Sequence, residues 1–405
     1  TGTGRAVGRL AWSLVVAEVA LAAAVLGGAA LMVRTVLLVT HADLGIDTSE
    51  LMTARVGIPV DGLVTDVDAK ARAERRLRDF HQRYLEELSR EPGGASAGLV
   101  MALPGHEVKL AAFAVEGVEY AGRESMPRAG GMSLSPSAFE TLRVRPLAGR
   151  LLEDTDTADG EPVVVINESL ARLAWPGKSP LGRRLRSELP GDTWRTVVGV
   201  VPDHIQDVER GRPEPFVYLP LAQAPQNFVS VLARGDAGPA GLAAAMQRAI
   251  ERADPELALY WVRTLDEALA LRTSGFRVIG GMSAVFGVVA LVLAATGLYG
   301  VLSFHVAQRN REIGLRRALG ASDGKVLLLM LRTSGTQVVL GLALGLAAVP
   351  VLERVLERLL IWLSPGSAWV YIGVLGVMLA TAAAAIARPT LLSLRIDPAA
   401  ALRQD

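Results

Sequence analysis

Residues 172–179 read Arg-Leu-Ala-Trp-Pro-Gly-Lys-Ser and finish, as a phosphate-binding loop does, in Gly-Lys-Ser. Such a loop wraps phosphate oxygens in backbone N–H groups, which needs Gly at its first position and a helix after its last. Here Arg172 stands first and Pro180 follows Ser179, so the segment reads as a turn with an exposed Lys178. His106-Glu107 lacks the second His of a zinc-protease helix. No Ser, His and Asp fall into a nucleophile-elbow pattern. Asn167-Glu168-Ser169 fits a glycosylation acceptor, a pattern frequent by chance. The absence of Cys excludes disulfides, thiol catalysis and thiolate metal sites. Five scattered His argue against a His-built metal centre, and a net charge of +1 gives no reason to expect nucleic acid as a partner. Catalytic, cofactor-binding and metal sites are therefore expected to be absent from the chain.

Three other features carry chemistry of a different kind. The stretch from Arg309 to Ser322 is basic, and Ile313, the Arg316-Arg317 pair and Gly320 recur three or four apart. That spacing suits a short amphipathic helix ended by Gly320, with Ser322 or Asp323 capping the next one. By charge alone it is a positive anchor. Glu18 interrupts an apolar run, where a carboxylate is costly. Its place about two turns from the start of that run suits an interfacial or protonated group. Gly341 and Gly345 form a GxxxG pair, which permits close helix packing.

The elements that position these features follow from composition. Of the 405 residues 51% are hydrophobic, and the mean hydropathy of +0.34 is high for a globular chain. Long blocks carry no charge, the mark of membrane spans. Four are expected, at 10–33, 276–304, 333–352 and 368–387. The first reaches roughly 36 Å as a helix, enough to cross a hydrocarbon core of about 30 Å. Basic residues set the orientation. Arg5 and Arg9 precede the first span. Arg309, Arg311, Arg316, Arg317, Lys325 and Arg332 fill the 305–332 loop, and Arg388, Arg395 and Arg403 follow the last span. In the short 353–367 loop, Arg354 and Arg358 are balanced by Glu353 and Glu357. The 1–9 segment, the 305–332 loop and the 388–405 tail are thus expected to be cytoplasmic, with 34–275 and 353–367 outside.

The 34–275 segment reads as a folded α/β domain. Leu51–Pro59 alternates, with Met52, Ala54, Val56 and Ile58 on one face. Ala69–Leu88 carries Ala73, Leu77, Phe80, Tyr84 and Leu88 on one helical stripe. Ala97–Leu103 is a strand ended by Pro104-Gly105. A second β-α-β unit comprises Phe228–Arg234, a helix at Pro239–Ala253 and Leu257–Arg263. The two units predict a split ferredoxin-like part at about 48–103 and 228–266, with an insertion at about 104–227. The insertion contributes strands at Pro162–Asn167, Arg195–Val201 and Phe216–Leu219, and a helix at Glu168–Trp175. One continuous α/β domain is the alternative.

The order of residues in the basic loop goes further than its charge. Arg311-Glu312-Ile313-Gly314, Arg316 and Ala318-Leu319-Gly320-Ala321 resemble the signature of the MacB/FtsX-type ABC permeases. Asn167-Glu168, Trp175-Pro176-Gly177, Pro180-Leu181-Gly182 and Val197–Val201 are similar to the family's extracytoplasmic domain. Ile396-Asp397-Pro398 with Ala401-Leu402-Arg403 is similar to its ending. The resemblance covers nearly the whole chain and is nearest to one half, the second, of a duplicated permease. The start without Met and the Leu14–Leu21 run fit such a half.

The resemblance implies a multi-pass protein of the bacterial inner membrane. Its four helices would carry a periplasmic α/β domain with a ferredoxin-like porter part and an inserted mixed α/β subdomain. It implies a permease subunit without an ATP site of its own. A separate cytoplasmic MacB-like ATPase dimer, holding ATP and Mg, would drive movement of the periplasmic domain for export or mechanotransmission. The implied ATPase-coupling residues are Arg311, Glu312, Gly314, Arg316, Arg317, Ala318, Leu319, Gly320 and Ala321. A second permease half or homodimer partner, membrane lipid and a periplasmic adaptor complete the implied partners. An FtsX-like regulator of a cell-wall hydrolase and a membrane-tethered enzyme are the other classes, the latter without a recognisable site.

Overall fold

The computed structural model describes residues 3–40, 44–60, 67–91, 96–187, 193–208, 210–308, 323–359 and 368–393. The chain divides into two compact units. One comprises Thr1–Thr40 with Thr273–Asp405, the other His41–Arg272.

The first unit is helical. Its described elements are α1 (Thr3–Thr40), α7 (Ser274–Gln308), α8 (Asp323–Leu359) and α9 (Ala368–Ser393). Within them lie four stretches long and apolar enough to cross a membrane: Trp12–Thr40, Ser274–Gly300, Gly335–Val355 and Ala368–Ala385. α1 continues past Val33 because Arg34 is the only charge before the apolar turn that ends at Thr40. Thr35 and Thr40 donate back to the carbonyls of Leu31 and Val36 at 2.9 and 2.8 Å, which hides their hydroxyls from an apolar surround. α8 accommodates Pro350 within its length. α1 packs on α7, α8 and α9, around a core of Val15, Val19, Ala23, Leu298 and Leu342. Outward, Leu14, Leu21, Val278, Val285 and Leu293 are exposed apolar residues, the surface that hydrocarbon would cover.

The second unit is α/β. A four-stranded antiparallel sheet runs in the order β11 (Leu259–Thr264), β1 (Met52–Gly57), β10 (Phe228–Arg234), β2 (Ser96–Val100). Met52, Ala54 and Val56 face α2 (Val67–Ser89) and α5 (Gly238–Ala253). Leu77, Phe80, Tyr84 and Leu88 of α2 are all buried there, and Phe80 stacks on Tyr84 with ring centroids 5.9 Å apart. The two helices are also tied by charge. Glu91 accepts hydrogen bonds from Arg248 at 2.9 Å and from Arg252, while Arg252 also pairs with Glu87 at 2.9 Å. The Arg248 and Arg252 guanidiniums hold the Glu91 carboxyl below its usual range.

Beside this sheet six strands close into a ring. β4 (Arg128–Leu134) pairs with β3 (Ala111–Val115), then come β7 (Arg184–Ser187), β8 (Arg195–Val201), β6 (Val163–Asn167) and β9 (Phe216–Pro220), which returns to β4. β4–β9 and β6–β8 are parallel; the other pairs are antiparallel. Val164, Ile166, Val197 and Val217 share one core with Leu170 of α4 (Glu168–Ala174) and Trp175. Their neighbours Val163, Val165, Phe216 and Tyr218 join another with Phe139 of α3 (Pro136–Thr141), the helix on the second face of β2 and β10. This alternation gives both faces of the ring an apolar partner. The short β5 (Ala148–Gly149) extends the edge of β8, so tightly that a Cβ at Gly199 would strike the carbonyl of Arg150. α6 (Leu265–Arg272) leads from β11 to the end of the unit.

Candidate functional site: helix notches and an anchoring joint

Arg311, Glu312, Gly314, Arg316, Arg317, Ala318, Leu319, Gly320 and Ala321 lie outside the described residues. They are joined to α7, which ends at Gln308, and to α8, which begins at Asp323.

The bundle that carries this loop is assembled through glycine notches. Gly341 and Gly345 of α8 face α1. A methyl group at Gly341 would sit 2.7 Å from Val19, and one at Gly345 would sit 2.5 Å from Ala23 and from the Ala20 carbonyl. α1 answers with Gly28, where a methyl would sit 2.8 Å from Leu352. α7 uses Gly280 against Val36, Gly287 against Ala29, and Gly297 against the Glu18 carboxylate. In lipid, apolar contact alone does not draw helices together. Close backbone approach over small residues is what makes dispersion effective there. The GxxxG pair is thus one part of a larger set, and Glu18 rests in a notch that any side chain at 297 would fill. The seven-residue spacing of Gly280 and Gly287, one helical face, was the available signal for the α7 notches.

The second unit begins with an anchoring joint. Arg234, at the end of β10, is only 7% exposed. Its guanidinium donates to the carbonyls of Thr141 at 3.0 Å and of Ser49 and Asp47 at 2.5 Å each. One side chain thereby fixes the 44–51 segment to β10 and α3. The Asp47 carboxyl is held down to about 2, chiefly by the hydroxyl and N–H of Ser49, with Arg234 and Arg143 adding to it. Two backbone bonds complete the joint. Ile205 N–H donates to Leu44 at 2.9 Å, and Leu265 N–H to Leu51 at 2.8 Å. The loop after β8 is braced in turn. Asp203 accepts from the Ser169 N–H and hydroxyl and from Arg172, at 2.7–2.8 Å. Gln206 donates to Leu103 and His106 carbonyls, and His204 bonds the Tyr218 hydroxyl at 2.9 Å. Burial pushes His204 below its usual value. A cavity of about 20 Å³ beside His204, Gln206 and Tyr218 is the size of a single water site.

The sequence motifs fall into structural places. Gly177 has φ of +69° and Lys178 N–H donates to Trp175 at 3.0 Å, so Gly-Lys-Ser is a turn with Lys178 exposed. Asn167 of the glycosylation pattern is fully buried. Its Oδ1 accepts from Leu170 and Phe216 N–H groups at 3.0 and 2.8 Å, while Nδ2 donates to Glu214 at 2.7 Å. It caps α4 and is out of reach of modification. His106 is half-buried next to an exposed Glu107. Among the described residues no group of three His, Asp or Glu could hold a metal ion.

Residues 56–249 match the MacB-like periplasmic core domain family, and residues 284–398 match the FtsX-like permease C-terminal family. Among curated proteins, the probable syringafactin export ATP-binding/permease protein SyfD of Pseudomonas syringae is 25% identical over 48% of this chain and 30% of its own. The uncharacterized ABC transporter permease YvrN of Bacillus subtilis is 26% identical over 52% of this chain and 54% of its own. The macrolide export ATP-binding/permease protein MacB of Chromobacterium violaceum is 32% identical over 22% of this chain and 14% of its own. The chain thus spans about half the length of YvrN and less of the other two. The crystal structure of the periplasmic region of MacB from Actinobacillus actinomycetemcomitans aligns at a TM-score of 0.35 and 17% identity. It takes in 53% of this chain and 89% of that one.

Proposed function

We propose that this chain, which belongs to the MacB/FtsX-type ABC transporter permeases, couples ATP hydrolysis by a separate cytoplasmic ATPase dimer to movement of its periplasmic domain. One observation carries the reading. The MacB-like core is inserted between α1 and α7, two helices that pack along each other, so any tilt of one relative to the other acts on both of its attachments. The 309–322 loop, at the far end of α7, is where the ATPase would push. Arg311, Glu312, Arg316 and Arg317 are the polar contacts of that interface, and Gly314, Ala318 and Gly320 let it approach closely. Leu319 and Ala321 complete its surface. Both SyfD and MacB of Chromobacterium violaceum carry ATP-binding and permease functions together, which supports an ATPase partner here. ATP and Mg belong to that partner.

The positive-inside distribution supports cytoplasmic termini and a cytoplasmic 305–332 loop in the inner membrane. A fused reporter inside that loop reading as external would sink the topology. The strand order β11-β1-β10-β2 with α2 and α5 on one face supports a ferredoxin-like porter part carrying the ring as its insertion. A second permease half or a second copy completes the assembly, with a periplasmic adaptor as a further partner.

The coupling role is tested by reversing Glu312 and Arg316 together (E312R/R316E) in the full chain. The expected result is a loss of about tenfold or more in ATPase association and in stimulated hydrolysis, the scale for buried interfacial charges. Unchanged association and hydrolysis would refute it.

A further inference from the structure

At one end of the four-stranded sheet the second face is bare. α3 covers β2 and β10, but towards β11 the surface shows Phe228, Tyr260, Trp261 and Val262, all exposed. Trp261 is the unusual member. Its φ is +53°, a conformation that a bulky residue adopts only under constraint. It occupies a β-bulge. Thr53 pairs with Arg263 but Arg55 pairs with Tyr260, so β11 holds one residue more than β1 over that interval. The strain serves no core packing, because the Trp261 side is 59% exposed. It aims the indole over Arg55, whose guanidinium lies 5.7 Å from that ring and 4.1 Å from the Phe228 ring.

Arg55 is itself incompletely satisfied. Its Nε is buried without a hydrogen-bond partner. It has no ion pair among the described residues. His106 is held below its usual value first by burial and further by the charges of Arg272 and Arg55. Asp207, the acidic neighbour that opposes them at His106, is engaged by Arg210 at 3.2 Å.

Exposed Trp and Tyr beside an arginine lacking a counter-ion is the composition of a membrane–water interface, where rings sit at headgroup depth and cations meet phosphate. The membrane is also the partner that the chain itself brings near. Only α6 and its flanking residues separate Trp261 from Ser274, the first residue of a candidate span. We infer that the Phe228–Arg55–Trp261 face docks on the anionic lipid headgroups of the bilayer, with Arg55 meeting phosphate between the two rings. This rests on the membrane-spanning reading of the bundle.

The chain has no Cys, so single cysteines can be labelled cleanly. The full chain carrying V262C, V118C or V285C is spin-labelled and placed in nanodiscs containing a nickel-chelating headgroup lipid. The bilayers are phosphatidylcholine with or without phosphatidylglycerol. Val118 is an exposed position on the turn after β3, and Val285 an exposed position on α7. The expected result is headgroup-nickel relaxation at 262 about fivefold or more above that at 118 in anionic bilayers. R55Q should cut it by about fivefold, the effect of one arginine near an anionic surface, while R55K should retain it. Relaxation at 262 equal to that at 118, with 285 at hydrocarbon depth, would overturn the proposal. So would label-to-label broadening at 262 without nickel relaxation, which would put a second copy on this face. A fully water-exposed 285 would overturn the spanning reading and the proposal with it.

Discussion

The two units of this protein hold themselves together in opposite ways. The helical unit relies on the removal of side chains. Gly341 and Gly345 bring α8 against the α1 backbone, Gly28 and Gly280 make room for the Leu352 and Val36 side chains, and the unit's surface of Val, Leu and Ile is exposed. The α/β unit relies on the addition of them. Phe80, Tyr84, Phe139 and Ile166 fill its cores, and Arg234, Glu91 and Asn167 satisfy its buried polar groups. The solvent explains the difference. In water, burying apolar area and pairing polar groups both stabilise a fold. In hydrocarbon the first effect vanishes between helices and close packing remains.

That contrast can be broken by substitution, and the α/β unit should show the largest effect. Gly199→Val would drive a side chain into the Arg150 backbone, and nothing there is a flexible side chain that could move aside. The expected loss exceeds about 4 kcal/mol, seen as the disappearance of cooperative urea unfolding while helical signal persists. Next comes Arg234→Met, which keeps the volume but strips donors from three carbonyls. The expected loss is about 2–4 kcal/mol, measured by the urea midpoint. In the bundle, Gly345→Leu should cost about 1–3 kcal/mol in detergent thermal unfolding, as overpacking does. Gly373→Leu, where nothing lies within 4 Å, should change stability by under about 0.5 kcal/mol. Equal effects at 345 and 373 would refute the notch account.

The smallest effect is electrostatic. The Asp47 carboxyl sits at about 2, below its ordinary 3.8. A group lowered on folding contributes stability above its unfolded value, and that contribution is lost as pH falls from about 4 to about 2. The urea midpoint should therefore drop over that window, and less so in D47N. An unaltered acid dependence in D47N would remove the Asp47 carboxylate, though not its backbone carbonyl, from the joint.

Much of this was readable in the residues, for reasons that differ by element. The periodic elements β1, α2 and α5 show their buried faces as spacing, since each keeps one main partner layer, whereas β10 reads as an apolar run because α3 covers its second face. The β6, β8 and β9 strands show as apolar runs because both faces of the ring are covered. β7 does not, because Arg-Leu-Arg-Ser buries little and owes its place to β3 and β8. Ring closure depends on β4 meeting β9, some eighty residues later in the chain, and no local pattern encodes that. Arg234 ends an apolar strand and reads as its solvent end. Only the distant carbonyls of Asp47, Ser49 and Thr141 make it interior. The residues 311–321 are the reverse case. Their order is specific enough to indicate the family, while their geometry lies outside the described residues.

The closed ring has a mechanical meaning. An open sheet under load peels from its outermost strand, breaking a few bonds at a time. A ring of six strands has no outermost strand, so a pull on any one of them is shared by two neighbours and passed around the circumference. Such an element is stiff in the way a hoop is stiffer than a ribbon. Where β4 hands Leu134 to Val100 of β2, displacement of the four-stranded sheet would therefore turn the whole ring as one lever, with little lost to stretching within it.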